Sequence, residues 1–280
     1  MPEAAPEYVA ARRVLLDALN ALGSQREAIV VVGAQAVYLR TGDSGIVGVA
    51  PYTTDADLVL APARLADEPH IEKLLGDADF EQKGDPGVWW KTVDIDGTPT
   101  AIEVDLMVPE RYAPDGGRRS VRLPPHDKMI ARKAIGLEGS IIDHDLIEVA
   151  ALDDADRRRF TVRVAGPAAL VVAKVYKLRD RLAQGKADRI ADKDAADVYR
   201  LMLSVPVREF LSRLKPLLAD ETAGPVCSDG VVLMEQLFGA RSAEGVRMAI
   251  AALRVAVPPE RVADVCAGFV REVRATLDGG

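Results

Sequence analysis

Apolar positions near the start of the chain recur at helical spacing. Val9, Val14, Leu15, Ala18, Leu19 and Leu22 share one face and Gly23 can end it, which predicts a helix over 7–22. Ala28 to Val32 is a short β-branched run that stops at Gly33, and helical composition resumes from Ala34 to Arg40, so this unit reads strand, tight turn, helix. Glycines and a proline make 42–52 a loop. Strand character returns at Asp55–Leu60, a helix is predicted over 67–75, and strands over 88–95 and 101–108. A loop over 109–117, a helix over 126–137 and a strand over 160–164 complete the front of the chain. From Pro167 onward the period is helical throughout, over 167–184, 190–204, 206–219, 230–238, 243–255 and 259–277. The pattern predicts an α+β chain, mixed α/β over residues 1–165 and all-helical over 166–280.

Composition narrows the class. With 280 residues and 49% hydrophobic content the chain can bury a large core, and no apolar run reaches the roughly 20 residues of a bilayer span. The N-terminus has no basic start followed by an apolar core, so the expected location is cytoplasmic, away from any membrane. Cys227 and Cys266 read as core thiols, and three histidines are too few for a histidine metal cluster, so any metal would be held by oxygen. The net charge of -7 hides an asymmetry. Arg157 to Lys193 carries a local +8, which leaves -15 for the rest; the basic stretch is either a polyanion-binding surface or a solvated helix face.

The candidate chemistry lies in TTDADLVL. Residues i and i+2 of a strand point to one face, so Asp55 and Asp57 project side by side and repel unless a cation lies between them. Carboxylate oxygens suit Mg²⁺ or Mn²⁺, ions that also bind nucleotide phosphates. D-x-D occurs six times in the chain, and only this pair sits between a threonine-rich turn with Thr54 and a clean apolar strand, about twenty residues after a strand-Gly-helix unit. Gly33 and Ala34 at that turn would let a ligand approach the backbone N–H groups of the helix start. Asp105 interrupts the alternation Ile102, Val104, Leu106, Val108 and shares the polar face with Glu103; it is either a third site carboxylate or an edge-strand charge facing water. In the rear half Lys174, Lys177 and Arg181 form a basic stripe, and Asp194 and Asp197 share a face of the next helix; phosphate contact and structural ion pairing both fit that arrangement. GDSG at Gly42 to Gly45 echoes a serine-protease segment without its histidine motif, and no Walker or G-x-G-x-x-G motif occurs.

Strand-Gly-helix, then T-D-A-D on a strand, then a carboxylate on a later strand resembles the DNA polymerase β-like nucleotidyltransferases, whose three carboxylates hold two divalent metals. GPAALVVAKVYKLRDRL followed by RIADKDAADVYRL is similar to the AbiEii and MenT group of nucleotidyltransferase toxins. The resemblance covers roughly residues 28 to 203 and implies a polymerase β-like domain, a mixed sheet with flanking helices, in the front part. It implies Asp55, Asp57 and Asp105 as metal ligands, Lys174 at the nucleotide phosphates with Lys177 nearby, and Asp194 as a further site acid. It also implies Mg²⁺ or Mn²⁺ as cofactor, an NTP as substrate, an RNA such as a tRNA 3′ end as acceptor, and a cognate antitoxin as partner. The family usually has Gly-Ser or Gly-Gly where this chain has Gly33-Ala34, which removes a hydroxyl contact to phosphate. A protein or small-molecule acceptor, or a non-catalytic nucleotide- or RNA-binding role, is the alternative.

Overall fold

A computed structural model describes residues 4–42, 52–114, 119–185, 189–254 and 256–279. In chain order the elements are α1 (Pro6–Ala21), β1 (Ile29–Val32), α2 (Gly33–Thr41), β2 (Asp55–Leu60), α3 (Ile71–Gly76), β3 (Glu81–Gln82), β4 (Val88–Ile95), β5 (Thr98–Pro109), β6 (Arg132–Ala134), β7 (His144–Ala150), β8 (Arg159–Ala165), then α4 (Pro167–Ala183), α5 (Arg189–Ser204), α6 (Val207–Ala219), α7 (Gly224–Phe238), α8 (Glu244–Leu253) and α9 (Pro259–Asp278). The expected mixed sheet followed by helices is what folds. Contacts divide the described chain into two units, one of residues 4–36 and 52–165, the other of residues 37–42 and 166–279.

The first unit is built on one mixed sheet in the order β3-β4-β5-β2-β1-β8-β7, with β6 added to β5. β2 runs antiparallel to β1 and parallel to β5, while β8 is parallel to β1. The all-apolar β1 is buried along its whole length, as a strand with neighbours on both edges and cover on both faces must be. Alternation along β2 and β5 sorts the chemistry. Ala56, Leu58, Ile102, Val104 and Leu106 point to one face and are fully or almost fully buried. That face is covered by α1, whose Asp17 takes the ammonium of Lys91, the register partner of Ile102 on β4, at 2.9 Å. Asp55, Asp57, Glu103 and Asp105 are left for the opposite face.

Residues 126–137 correct the expectation of a helix. Their backbone groups bond to tertiary partners instead of closing helical turns: Trp89 Nε1 donates to Ile130 O at 3.0 Å, and Lys133 N donates to Arg119 O at 2.8 Å. Arg132–Ala134 then pairs in parallel with Met107–Pro109. Strand β7 is missed by its pattern because it lies at the sheet edge, where Leu146 is exposed and Val149 alone of its residues is buried. Helix α3 starts at Ile71, later than the predicted 67, beyond Pro69, which disfavours helix at the residue before it. The predicted loop over 42–52 falls mostly outside the described residues, as does the GDSG segment beyond Gly42; of the predicted 109–117 loop, Glu110–Tyr112 is a short 3-10 turn and residues 115–117 are outside them too.

The second unit packs α4 to α9 around Tyr176, Tyr199, Phe210, Leu214 and Phe238, all buried. Helix α7 starts at Gly224 rather than 230 because Pro225, in the first turn, needs no helical N–H partner. Phe210 and Phe269 meet edge to face at 5.1 Å, and the Tyr176 hydroxyl donates to Val226 O at 3.2 Å.

Candidate active site

In the parallel β2–β5 pair Asp57 stands opposite Asp105 and Asp55 opposite Glu103. Four carboxylates thus form two facing pairs on one surface, an arrangement that like-charge repulsion disfavours unless positive charge is supplied. β5 is an interior strand, and Asp105 is only 7% exposed, so it is not a charge on a watery edge.

Gly33 positions Asp57. Its φ is +69°, and a Cβ added there would lie 1.9 Å from Asp57 Oδ2 and 2.8 Å from Asp57 Cβ. No side chain fits between the start of α2 and this aspartate, so the carboxylate lies against the N-terminal end of the helix, where the peptide dipoles favour negative charge. Ala34, the next residue, is half-buried.

Asp55 is held by its neighbours in the chain and by a relay from α1. The buried Thr53 hydroxyl donates to Asp55 Oδ1, whereas Thr54, the threonine singled out above, is exposed. Gln35 Nε2 donates to Asp55 O at 3.1 Å and to Ala11 O at 3.2 Å, and its Oε1 accepts from Arg12 Nε at 2.7 Å. Arg12 in turn donates to Tyr8 Oη and Ala150 O, both at 3.0 Å. Burial lowers the Arg12 pKa, since these three oxygens, on Gln35, Tyr8 and Ala150, are neutral.

The positive charge comes from Arg132, which the sequence reading passed over because it lay in the supposed 126–137 helix. Its Nε donates to Asp105 Oδ1 at 2.9 Å and its terminal nitrogen donates to Oδ2, a two-pronged pair. Burial works against this charge, but the hydrogen bond and charge of Asp105, followed by the charges of Asp57 and Glu103, raise its pKa above the usual arginine value.

Lys174, Lys177 and Asp194 lie in the second unit. Lys174 is 4% exposed, and its ammonium donates to Asp194 at 2.6 Å and to Asp197 at 2.7 Å. Arg181 lies 3.1 Å and Lys177 3.8 Å from Asp194, so the basic stripe converges on that carboxylate. The Arg181 contact is a charge pair without hydrogen-bond alignment. Burial raises both aspartates, but three cations lower Asp194 overall, whereas Lys174 and the more weakly felt Arg200 leave Asp197 raised.

Among the described residues no group of three or more His, Cys, Asp or Glu side chains is gathered as a ready cage for an ion. The donor chemistry of Asp55, Asp57 and Asp105 nevertheless fits a hard divalent cation, being all carboxylate oxygen on adjacent strands.

A family model described as nucleotidyltransferase matches residues 12–211. This chain belongs to that nucleotidyltransferase family. The matched span contains the α2 turn, the T-D-A-D strand, Asp105 and Arg132, together with the Lys174–Asp194 cluster. Neither a curated protein nor a solved structure matches the chain. No helix of the described residues is long and apolar enough to cross a membrane.

Proposed function

We propose that this nucleotidyltransferase moves a nucleoside monophosphate from an NTP to an acceptor hydroxyl, using Mg²⁺ or Mn²⁺ held by Asp55, Asp57 and Asp105. The observation that carries the reading is the placement of Asp57: opposite Asp105 across two parallel strands, and against a glycine whose missing side chain leaves room for its carboxylate. A bound divalent ion would lower the pKa of the attacking hydroxyl and stabilise the leaving pyrophosphate oxygen. The protein's own part is to fix the carboxylates. Thr53 and the Arg12–Gln35 relay hold Asp55, the start of α2 holds Asp57, and in the ion-free protein Arg132 holds Asp105.

The narrower kinship to AbiEii and MenT toxins, with RNA such as a tRNA 3′ end as acceptor and a cognate antitoxin as partner, belongs to this proposal, as do nucleotide contact by Gly33, Ala34, Thr54, Lys174 and Lys177, a site role for Asp194, and a cytoplasmic location. A second reading, with a protein or small molecule as acceptor, is favoured by one observation. Among the described residues several cations of the basic stretch are matched within the chain: Arg158 by Asp17 and Asp156, Arg159 by Glu148, Arg163 by Glu27, Arg179 by Asp180 and Arg181 by Asp194. Such pairing leaves less charge for a polyanion.

Incubation with Mg²⁺, each labelled NTP and total RNA, resolved on a denaturing gel, tests the reading. Labelled RNA should form, and Asp57→Ala should reduce it by at least about 10²-fold. Full activity in a folded Asp57→Ala protein would overturn the site assignment. Label appearing on protein, or on small molecules in a cell extract, would select the second acceptor class.

A further inference from the structure

We propose that Arg132 is a resident counter-cation of the carboxylate row, one that a divalent ion must dislodge from Asp105 before Asp55, Asp57 and Asp105 can share that ion. The inference rests on the metal reading above and adds a residue that sets how tightly the metal is held.

Three observations carry it. The guanidinium engages both oxygens of Asp105, Nε on Oδ1 at 2.9 Å and the terminal nitrogen on Oδ2. Each oxygen keeps a second lone pair, but a cation bound there would sit beside the guanidinium, and two positive charges at that range repel. Ion and arginine therefore compete for one carboxylate. Asp57 and Glu103 also attract Arg132, so its pull is toward the row as a whole.

The backbone that delivers the arginine is fixed, whereas its side chain has a way out. Gly87 lies where β4 gives way to β6 along β5, accepting from Leu106 N at 2.8 Å and donating to Met129 O at 2.9 Å. A Cβ on Gly87 would come within 2.4 Å of Leu106 O and 2.8 Å of Arg132 N, so the strands close up only because this residue is glycine with φ +82°. Trp89 anchors the same segment through Ile130 O. The Arg132 side chain is 34% exposed and that of Asp105 only 10%. The arginine can swing into water while the aspartate stays in place.

Mn²⁺ binding, followed by the electron paramagnetic resonance signal of the free ion and by calorimetry, tests this without any turnover. Arg132→Met should bind Mn²⁺ at least about tenfold more tightly than wild type, because the competitor is gone. Arg132→Lys, with the charge but without the fork, should fall between the two. Without metal, Arg132→Met should melt below wild type, and saturating Mn²⁺ should narrow the gap. Should Arg132→Met fail to fold, Arg132→Gln, which keeps a donor for Asp105 without the charge, carries the same expectation. Unchanged or weaker Mn²⁺ binding in the neutral variants would overturn the proposal and leave Arg132 as a strut that orients Asp105. Asp57→Ala is titrated in parallel. If it binds Mn²⁺ as wild type does, or if no form binds, the metal reading itself falls and this inference with it.

Discussion

Replacing Gly33 by alanine probes the placement of Asp57 with a single methyl group. Two costs can be separated. The first is conformational: at φ +69° an L-residue with a Cβ sits in the left-handed region, at about 1–2 kcal/mol. The second is steric: the methyl would overlap Asp57 Oδ2 at 1.9 Å, Cγ at 2.6 Å and Cβ at 2.8 Å, so the aspartate has to move, and forced repacking of this kind costs about 1–3 kcal/mol. Gly33→Ala should therefore destabilise the first unit by about 2–5 kcal/mol. In an Asp57→Gly background all three clashing atoms are absent, and the same substitution should cost only the conformational part, about 1–2 kcal/mol. The coupling between the two sites is then about 1–3 kcal/mol. Urea unfolding measures it, and the protein supplies a probe, since both of its tryptophans, Trp89 and Trp90, lie on β4 in the first unit. Nucleotidyl transfer by Gly33→Ala should fall by about 10²-fold or more, because an ångström of misplacement of a catalytic group can have that effect. An equal loss of stability from Gly33→Ala in the wild-type and Asp57→Gly backgrounds would refute the steric argument.

Lys174→Met should cost the second unit about 3–5 kcal/mol, read from the helical circular dichroism, because it removes the hydrogen-bonded cation from both Asp194 and Asp197 in a buried site. Lys177→Glu, at an exposed position, should leave that signal intact, so a loss of NTP affinity by calorimetry in this variant would report on phosphate contact. Cys266, whose thiol burial pushes up to about 12, should resist maleimide at pH 8 in the folded protein and react on unfolding. His144 has its pKa lowered below 6.5 by burial and then by Arg64 and Arg163, so its neutral form is favoured by folding. Its contribution to stability is complete above 6.5 and is lost as pH falls through the lower folded value, and His144→Gln should flatten that part of the acid profile measured by tryptophan fluorescence.

Much of the fold was legible because its interior elements carry their burial in their composition. The bounds read for β2 and β4 are those observed, and the α+β order holds. Nucleotidyltransferase membership was legible in the order of the motifs, and the family match agrees. What escaped depends on partners remote in sequence. Arg132 meets Asp105 across 27 residues, and the segment that carries it is shaped by Trp89 and Gly87, so its own pattern pointed to a helix. β7 carries Leu146, Ile147 and Val149, but as an edge strand it leaves Leu146 exposed and buries Val149 alone, so no clean alternation marks it. The relay from Arg12 through Gln35 to the backbone of Asp55 joins three elements whose polar residues look ordinary one at a time. That Thr53 holds Asp55 needs the direction of a side chain at a bend, which composition does not encode.

The strand that carries Asp105 has neighbours on both edges: β2 along one, β4 and then β6 along the other. Its amide hydrogens around Asp105 and Leu106 should exchange with deuterated solvent only when the whole unit opens, while those near the start of β2 and in the three-residue β6 should exchange through smaller, local openings. Isotope uptake would then show the two sides of the carboxylate row on separate clocks. Loading the row with an ion should slow uptake at Asp55 and leave the centre of β5, already at its limit, almost unchanged.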